Sequence, residues 1–323
     1  AILAETGTLP LNVKFFFEGQ EEIGSPDLGP FITENLEKLQ ADMIFSADGG
    51  QWDTETPQLV LGLKGLTSLE ITVTGAKSDL HSGMHGGGVA NPGLALAHLL
   101  ASMKTPDGHI TIDGFYDEVV ELTAEDREAI ARVPWDEEAY LAQTGAPATH
   151  GEPGFSTREN LWARPTFEVN GLTCGWQGAG TKTVLPSVAS AKITCRLVAN
   201  QSPEKVFEMI AAHVDAHCPP GVTAEVSRNP GRADPFLVPA GHNATAIAGQ
   251  VLEEVYGKAP HQTRAGGSIP VMSTLLDQLG LHAVMFAFGH EDENQHAPNE
   301  FFRLPTFRLG QTAYARLMER LGS

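Results

Sequence analysis

The stretch that decides the fold is LNVKFFFEGQEEIGSPDLGPFITENLEKLQADMIFSAD, residues 11–48. LNVKFFF (11–17) is apolar and β-prone, which predicts a buried strand. SPDLGPFITENLEKLQ follows, with Ser25 as a helix N-cap, Pro26 at the first helical position, and Leu28, Phe31, Ile32, Leu36 and Leu39 on one stripe. DMIFSAD (42–48) is a second short apolar strand ending in an acid. Strand, helix, strand in this order predicts a βαβ unit and a parallel sheet. Ligands of such sheets sit at the carboxyl ends of the strands. Glu21, Glu22 and Asp48 all follow such ends.

Working outward, the texture changes after residue 64. LTSLEITVTG (66–75) alternates with period two, as a half-exposed antiparallel strand does. NPGLALAHLLASM (91–103) reads as a helix opened by Asn91 and Pro92. Residues 104–165 are polar with weak periodicity and read as an insertion, helical around 124–132. SVASAKITCRLV (187–198), SPEKVFEMIAAHVDAHC (202–218) and GVTAEVSR (221–228) then read as strand, helix, strand. Together these make the split βαβ order of a small α+β domain. From residue 231 the α/β texture returns: helices near 242–256, 269–279 and 305–321, and an apolar strand, HAVMFAF, at 282–288. The expected organisation is therefore one α/β domain, 1–64 and 231–323, interrupted by an inserted domain at 65–230.

Composition bounds the function. With 40 acidic against 21 basic residues the net charge is −19, which repels phosphate and argues against nucleic acid and anionic membrane surfaces. No apolar run approaches the roughly 20 residues of a membrane helix. Three cysteines, Cys174, Cys195 and Cys218, form no CxxC and suit a reducing, cytoplasmic compartment. The opening AILAETGTLPLN has no charged start before an apolar core, so it does not read as a secretion signal. It reads instead as the tail of an uncapped helix, as though the chain began inside a domain.

Several residues suggest chemistry. Of two adjacent carboxylates, Glu21 and Glu22, one can ligate a divalent metal while the other takes a proton from water. The plainer reading of that pair is two exposed acids in a first helical turn. Asp48 in SADGG is a ligand or a turn opener. In GHEDENQHAPNE (289–300), His296 among carboxylates suits zinc, while His290 reads as part of a solvated acidic loop. His81, in a Gly-rich loop of the inserted domain, can polarise a carbonyl or hold an oxyanion, or is simply a loop histidine. Arg264, beside Gly267 and Ser268 and ahead of a helix, makes a carboxylate cradle, or an ordinary turn.

In order along the chain, FFFEGQEEIGSPDL, SADGG, SDLHSGMHGGGVANP, NGLTCGWQGAGTKTVLPSVASAKITCRLV, RAGGSIPV and NQHAPNE resemble the landmarks of the dinuclear zinc exopeptidases. That family includes carnosinase, aminoacylase, carboxypeptidase G and succinyl-diaminopimelate desuccinylase, and the likeness is closest to its dipeptidase branch. It implies an α/β catalytic domain with a mostly parallel sheet and an inserted ferredoxin-like α+β lid that makes a homodimer. It also implies two divalent metal ions, zinc before manganese or cobalt, and hydrolysis of a dipeptide or an N-acyl or N-succinyl amino acid. Glu21 matches the general base, Glu22 and His296 the ligands of one ion, and Asp48 a ligand of the other. His81 matches the histidine that reaches across the dimer, and Arg264, Gly267 and Ser268 the group that holds the substrate carboxylate. Ala265 stands where the carnosinase-like pattern often has an acid. The family's His-x-Asp motif and bridging aspartate, which precede the glutamate pair, have no counterpart here. His213-Val214-Asp215 spells the motif but lies in the inserted domain, where it reads as a coincidence on a helix surface. The expectation is a chain missing its N-terminal region and inactive alone, with a non-catalytic fragment as the rival reading.

Overall fold

The computed structural model describes residues 2–322. Its first segment departs from expectation at residues 11–17, which pair with no strand among the described residues. Phe15 and Phe17 are 78% and 88% exposed. A β-prone run becomes a strand only where another strand accepts its hydrogen bonds. Here the rings stack instead, Phe15 on Phe17 and Phe16 on Phe31. The next helix also starts later than expected. Gly24 and Ser25 are both left-handed (φ 83° and 48°), so Ser25 is no N-cap. Asp27 precedes a helix at Leu28–Glu34, and a short second turn, Leu36–Leu39, follows the break at Asn35. Leu28 and Ile32 are its buried face.

Strand β1 (Ile44–Ser46) and strand β2 (Gln58–Leu63) complete this segment. The chain then enters an antiparallel sheet built from β3 (Gly65–Thr74), β5 (Glu168–Cys174), β7 (Val188–Leu197) and β8 (Thr223–Ala233), in the order β5-β7-β3-β8. The alternation read at 66–75 is real: every second residue of β3 is buried. Two tiny strands, β4 (Leu80–His81) and β6 (Val184–Leu185), pair beside it. Helices Pro92–Met103 and Pro203–His217 cover one face, closing a core of Leu69, Ile71, Leu99, Ile193, Ile210 and Val214. Strand order and connections are those of the split βαβ arrangement. Of the His213-Val214-Asp215 segment only Asp215 is on the surface: His213 is 7% exposed and its ring meets the Ser102 hydroxyl at 2.9 Å. It shares the buried stripe of Val206, Ile210 and Val214. Between the first helix and β5 lie helices Ala124–Arg132, Glu137–Thr144 and Thr157–Ala163.

In the last segment, β9 (Phe236–Leu237) and β10 (His261–Ala265) flank β2, the second in parallel, and β11 (Ala283–Met285) pairs in parallel with β1. Helices Asn243–Tyr256, Pro270–Leu279 and Leu304–Leu321 pack around them. Two apolar clusters join the ends of the chain, one holding Leu59 with Val251, Val284 and Leu317, the other Ile32 and Leu63 with Phe236 and Met285.

Candidate metal centre

Glu21 and Glu22 occupy a single 3-10 turn, Glu21–Ile23, closed by the left-handed Gly24, whose N–H donates to the Glu21 carbonyl at 2.8 Å. Asp48 follows β1, its N–H on the Ser46 hydroxyl at 3.2 Å. Beyond it the chain runs hard against the exit of β11. The Gln51 N–H donates to the Gly289 carbonyl, and a Cβ on Gly50 would stand 2.5 Å from that same oxygen. Only glycine fits there, and the fit sets the loop at 289–300 beside Asp48.

That loop returns His296 to the glutamate turn. Its Nε2 lies 3.2 Å from Glu22 Oε2. Burial raises the Glu21 carboxyl above its ordinary value, and the charges of Asp48, Glu22 and Glu18 push it the same way, with His296 opposing. Three segments remote in sequence thus bring Glu21, Glu22, Asp48 and His296 together. In kind, carboxylates that repel one another beside an imidazole suit a divalent cation. In number they fall short: among the described residues no group of three His, Cys, Asp or Glu side chains is close enough to hold one.

The remaining expected residues sit elsewhere. His81 is exposed on β4 and its Nδ1 accepts from the Gly83 N–H at 3.0 Å. Among the described residues no hydrogen bond or ion pair joins it to the four. Arg264 follows a bulge in β10 and donates to Asp126 at 2.7 Å. Burial pushes the Asp126 carboxyl up, but hydrogen bonds from Thr123 and the Arg264 guanidinium outweigh it and hold that carboxyl below its usual range. The guanidinium thus already has a carboxylate partner within the chain. Gly267 has open space around it. Ser268 donates to the Lys64 carbonyl at 2.5 Å and accepts from Arg196 Nη1 at 3.1 Å.

Sequence reading passed over Arg196, a half-buried cation between buried Cys195 and Leu197 in β7. A charge inside so apolar a strand was the available signal. It also misplaced His290, which is 4% exposed rather than solvated, with Nε2 3.2 Å from the Thr306 hydroxyl. Glu293, three residues on, is buried too.

Residues 61–222 match the model of the peptidase dimerisation domain of the M20 peptidases. The chain belongs to the M20 peptidase family. It is 30% identical over 318 residues to the Cys-Gly metallodipeptidase of Schizosaccharomyces pombe, covering 97% of this chain and 67% of that one. It is 27% identical over 301 residues to human beta-Ala-His dipeptidase, covering 90% and 58%. Among solved structures, an M20 metallo-carboxypeptidase from Sulfolobus solfataricus superposes with a TM-score of 0.81 at 32% identity, over 98% of this chain and 72% of that one. This M20 chain therefore spans about two thirds of the length of the curated relatives it matches. Its α/β fold with an inserted lid is the fold of those structures.

Proposed function

We propose that this M20 chain carries part of the active site of a metal-dependent dipeptidase. The observation that carries the reading is the Glu22–His296 contact beside the half-buried Glu21. Glu22 and His296 would hold one divalent ion, zinc before manganese or cobalt, and Asp48 would hold a second. Donors outside the described set would complete both sites. Such an ion, when bound, acidifies water and polarises the scissile carbonyl. Glu21 takes the proton from the attacking water and returns it to the leaving amine, a role its raised affinity for a proton favours. Arg196, oriented by its bond to Ser268, holds the substrate's free carboxylate near Arg264, whose fork also engages Asp126.

The test uses the full gene product and a panel of dipeptides, with N-acyl amino acids as competing substrates. Dipeptide hydrolysis should stop with a chelator and fall roughly 10²–10⁴-fold in Glu21→Gln. Chelator-resistant activity, or a Glu21→Gln enzyme at full rate, sinks the reading. Arg196→Ala should raise KM for dipeptides with a free carboxylate and leave C-terminally amidated ones unchanged.

The lid would make a homodimer and bring His81 to the partner's site. Supporting this, β5 is a sheet edge with Leu172 60% and Val169 41% exposed. Light scattering on wild type and Leu172→Glu checks it; a monomeric wild type ends this part of the proposal. A cytoplasmic location belongs to the same proposal, supported by three free cysteines; no described helix is long and apolar enough to cross a membrane.

A further inference from the structure

His81 stands exposed in the inserted domain, yet its surroundings fix both its backbone and its ring. Asp79 Oδ1 accepts from the N–H and the hydroxyl of Ser187, each at 2.9 Å, which pins the entry to β4. Leu80 and His81 then pair with Leu185 and Val184 of β6, and the Ser82 N–H donates to the Thr183 carbonyl at 3.1 Å. The chain turns at once through Ser82–His85, closed by the Gly86 N–H on the Ser82 carbonyl at 2.8 Å. That turn carries the Gly83 N–H back onto the His81 ring, where Nδ1 accepts it at 3.0 Å. The approach is close: a Cβ on Gly83 would stand 2.9 Å from His81 Cε1 and 3.2 Å from Nδ1.

A backbone N–H only donates, so Nδ1 meets it with a lone pair. A neutral imidazole with a lone pair on Nδ1 carries its proton on Nε2. Among the described residues no other hydrogen bond or ion pair engages the ring, which leaves that Nε2–H open. We infer that Gly83 is a positioning residue: its N–H holds the neutral His81 in the Nε2–H tautomer, so the ring offers a hydrogen-bond donor and not a base. Such a donor suits a carbonyl oxygen, or the oxyanion it becomes on attack. A bond of this kind, open to water, favours one tautomer over the other roughly fivefold or more. The inference rests on the reading that brings His81 to the partner's site.

The experiment is nitrogen NMR on the full gene product, labelled in its histidine rings and held at about pH 8.5, above the ordinary histidine range. The His81 signals are picked out by subtracting the spectrum of His81→Asn, whose side-chain carbonyl keeps an acceptor for the Gly83 N–H. We expect His81 in wild type to carry its proton on Nε2 alone. Gly83→Pro, which lacks the N–H, should return a mixture of tautomers. Dipeptide hydrolysis should fall roughly 10²–10³-fold in kcat in His81→Asn, and about tenfold or more in Gly83→Pro, with KM within about twofold in both. If Gly83→Pro does not fold, Gly83→Ala carries the comparison: its Cβ turns the ring off the N–H. A mixture in wild type, a single tautomer that survives in the Gly83 variant, or a wild-type kcat in that variant beside a slow His81→Asn overturns the inference and leaves the reading of His81 standing. A His81→Asn enzyme at full rate overturns that reading, and the inference with it.

Discussion

Glu21 is a carboxyl that the fold half-buries and then surrounds with like charge. Its raised proton affinity means the folded chain binds that proton more tightly than the unfolded one. The group therefore favours folding least once ionised, and stability falls as pH rises through and above its ordinary value of 4.5. Glu21→Gln should then melt above the parent at pH 7, and the gap should shrink as pH drops below that value. Melts of both proteins at pH 7 and pH 3.5 check it; a parent that melts higher at pH 7 contradicts it. The twin acids were legible because their adjacency is local. The pairing of Arg196 with Ser268, on which the proposed carboxylate anchor rests, was not, because it spans 72 residues and leaves no local trace. Arg264 was visible beside two glycines, but its pairing with Asp126, 138 residues away, was not.

At the scale of the element, the insertion at 104–165 shows why weak periodicity did not mean weak structure. Its helices are fixed by caps and two buried cations, Arg158 and Arg164, rather than by an apolar stripe. Thr123 with Asp126, and Ser156 with Glu159, form capping boxes at two helix starts. Arg158 is 5% exposed, donates to the carbonyls of Val133 and Pro134, and lies over the rings of Trp135 and Trp162 at 4.8 and 4.9 Å. Arg158→Ala would orphan both carbonyls and empty the space between the indoles, at a cost of about 3 kcal/mol. Arg158→Lys should lose much of that too, since an ammonium has no planar fork to stack. Denaturant unfolding measures both, and a loss well under 1 kcal/mol for the alanine variant contradicts the account. The opposite error fell at residues 11–17. There β-propensity was plain to read, while the absence of a partner among the described strands was not. Strand β3 and its neighbours were legible because alternation records burial directly.

At the scale of the molecule, the units meet at Lys64, between the end of β2 and the start of β3. It is 3% exposed. Its N–H donates to the Ala265 carbonyl, its carbonyl accepts from Ser268, and its Nζ donates to the Asn160 carbonyl at 3.0 Å. First segment, last segment and insertion are therefore tied at one residue, by its backbone and its side chain. Burial pulls its ammonium down to about 7, helped by the nearby Arg196 and Arg164 and opposed by Glu152 and Glu168. The depressed value means that, between about 7 and the ordinary 10.5, the unfolded chain holds more protons than the folded one. Stability should then rise with pH across that window, and the full cost of a buried ammonium is felt below it. Lys64→Met removes the charge, so its gain over the parent should be about 2–3 kcal/mol larger at pH 6 than at pH 9. Denaturant midpoints at the two values measure the difference. An equal gain at both would show that Lys64 reaches water in the folded chain, and that this junction is looser than its hydrogen bonds imply.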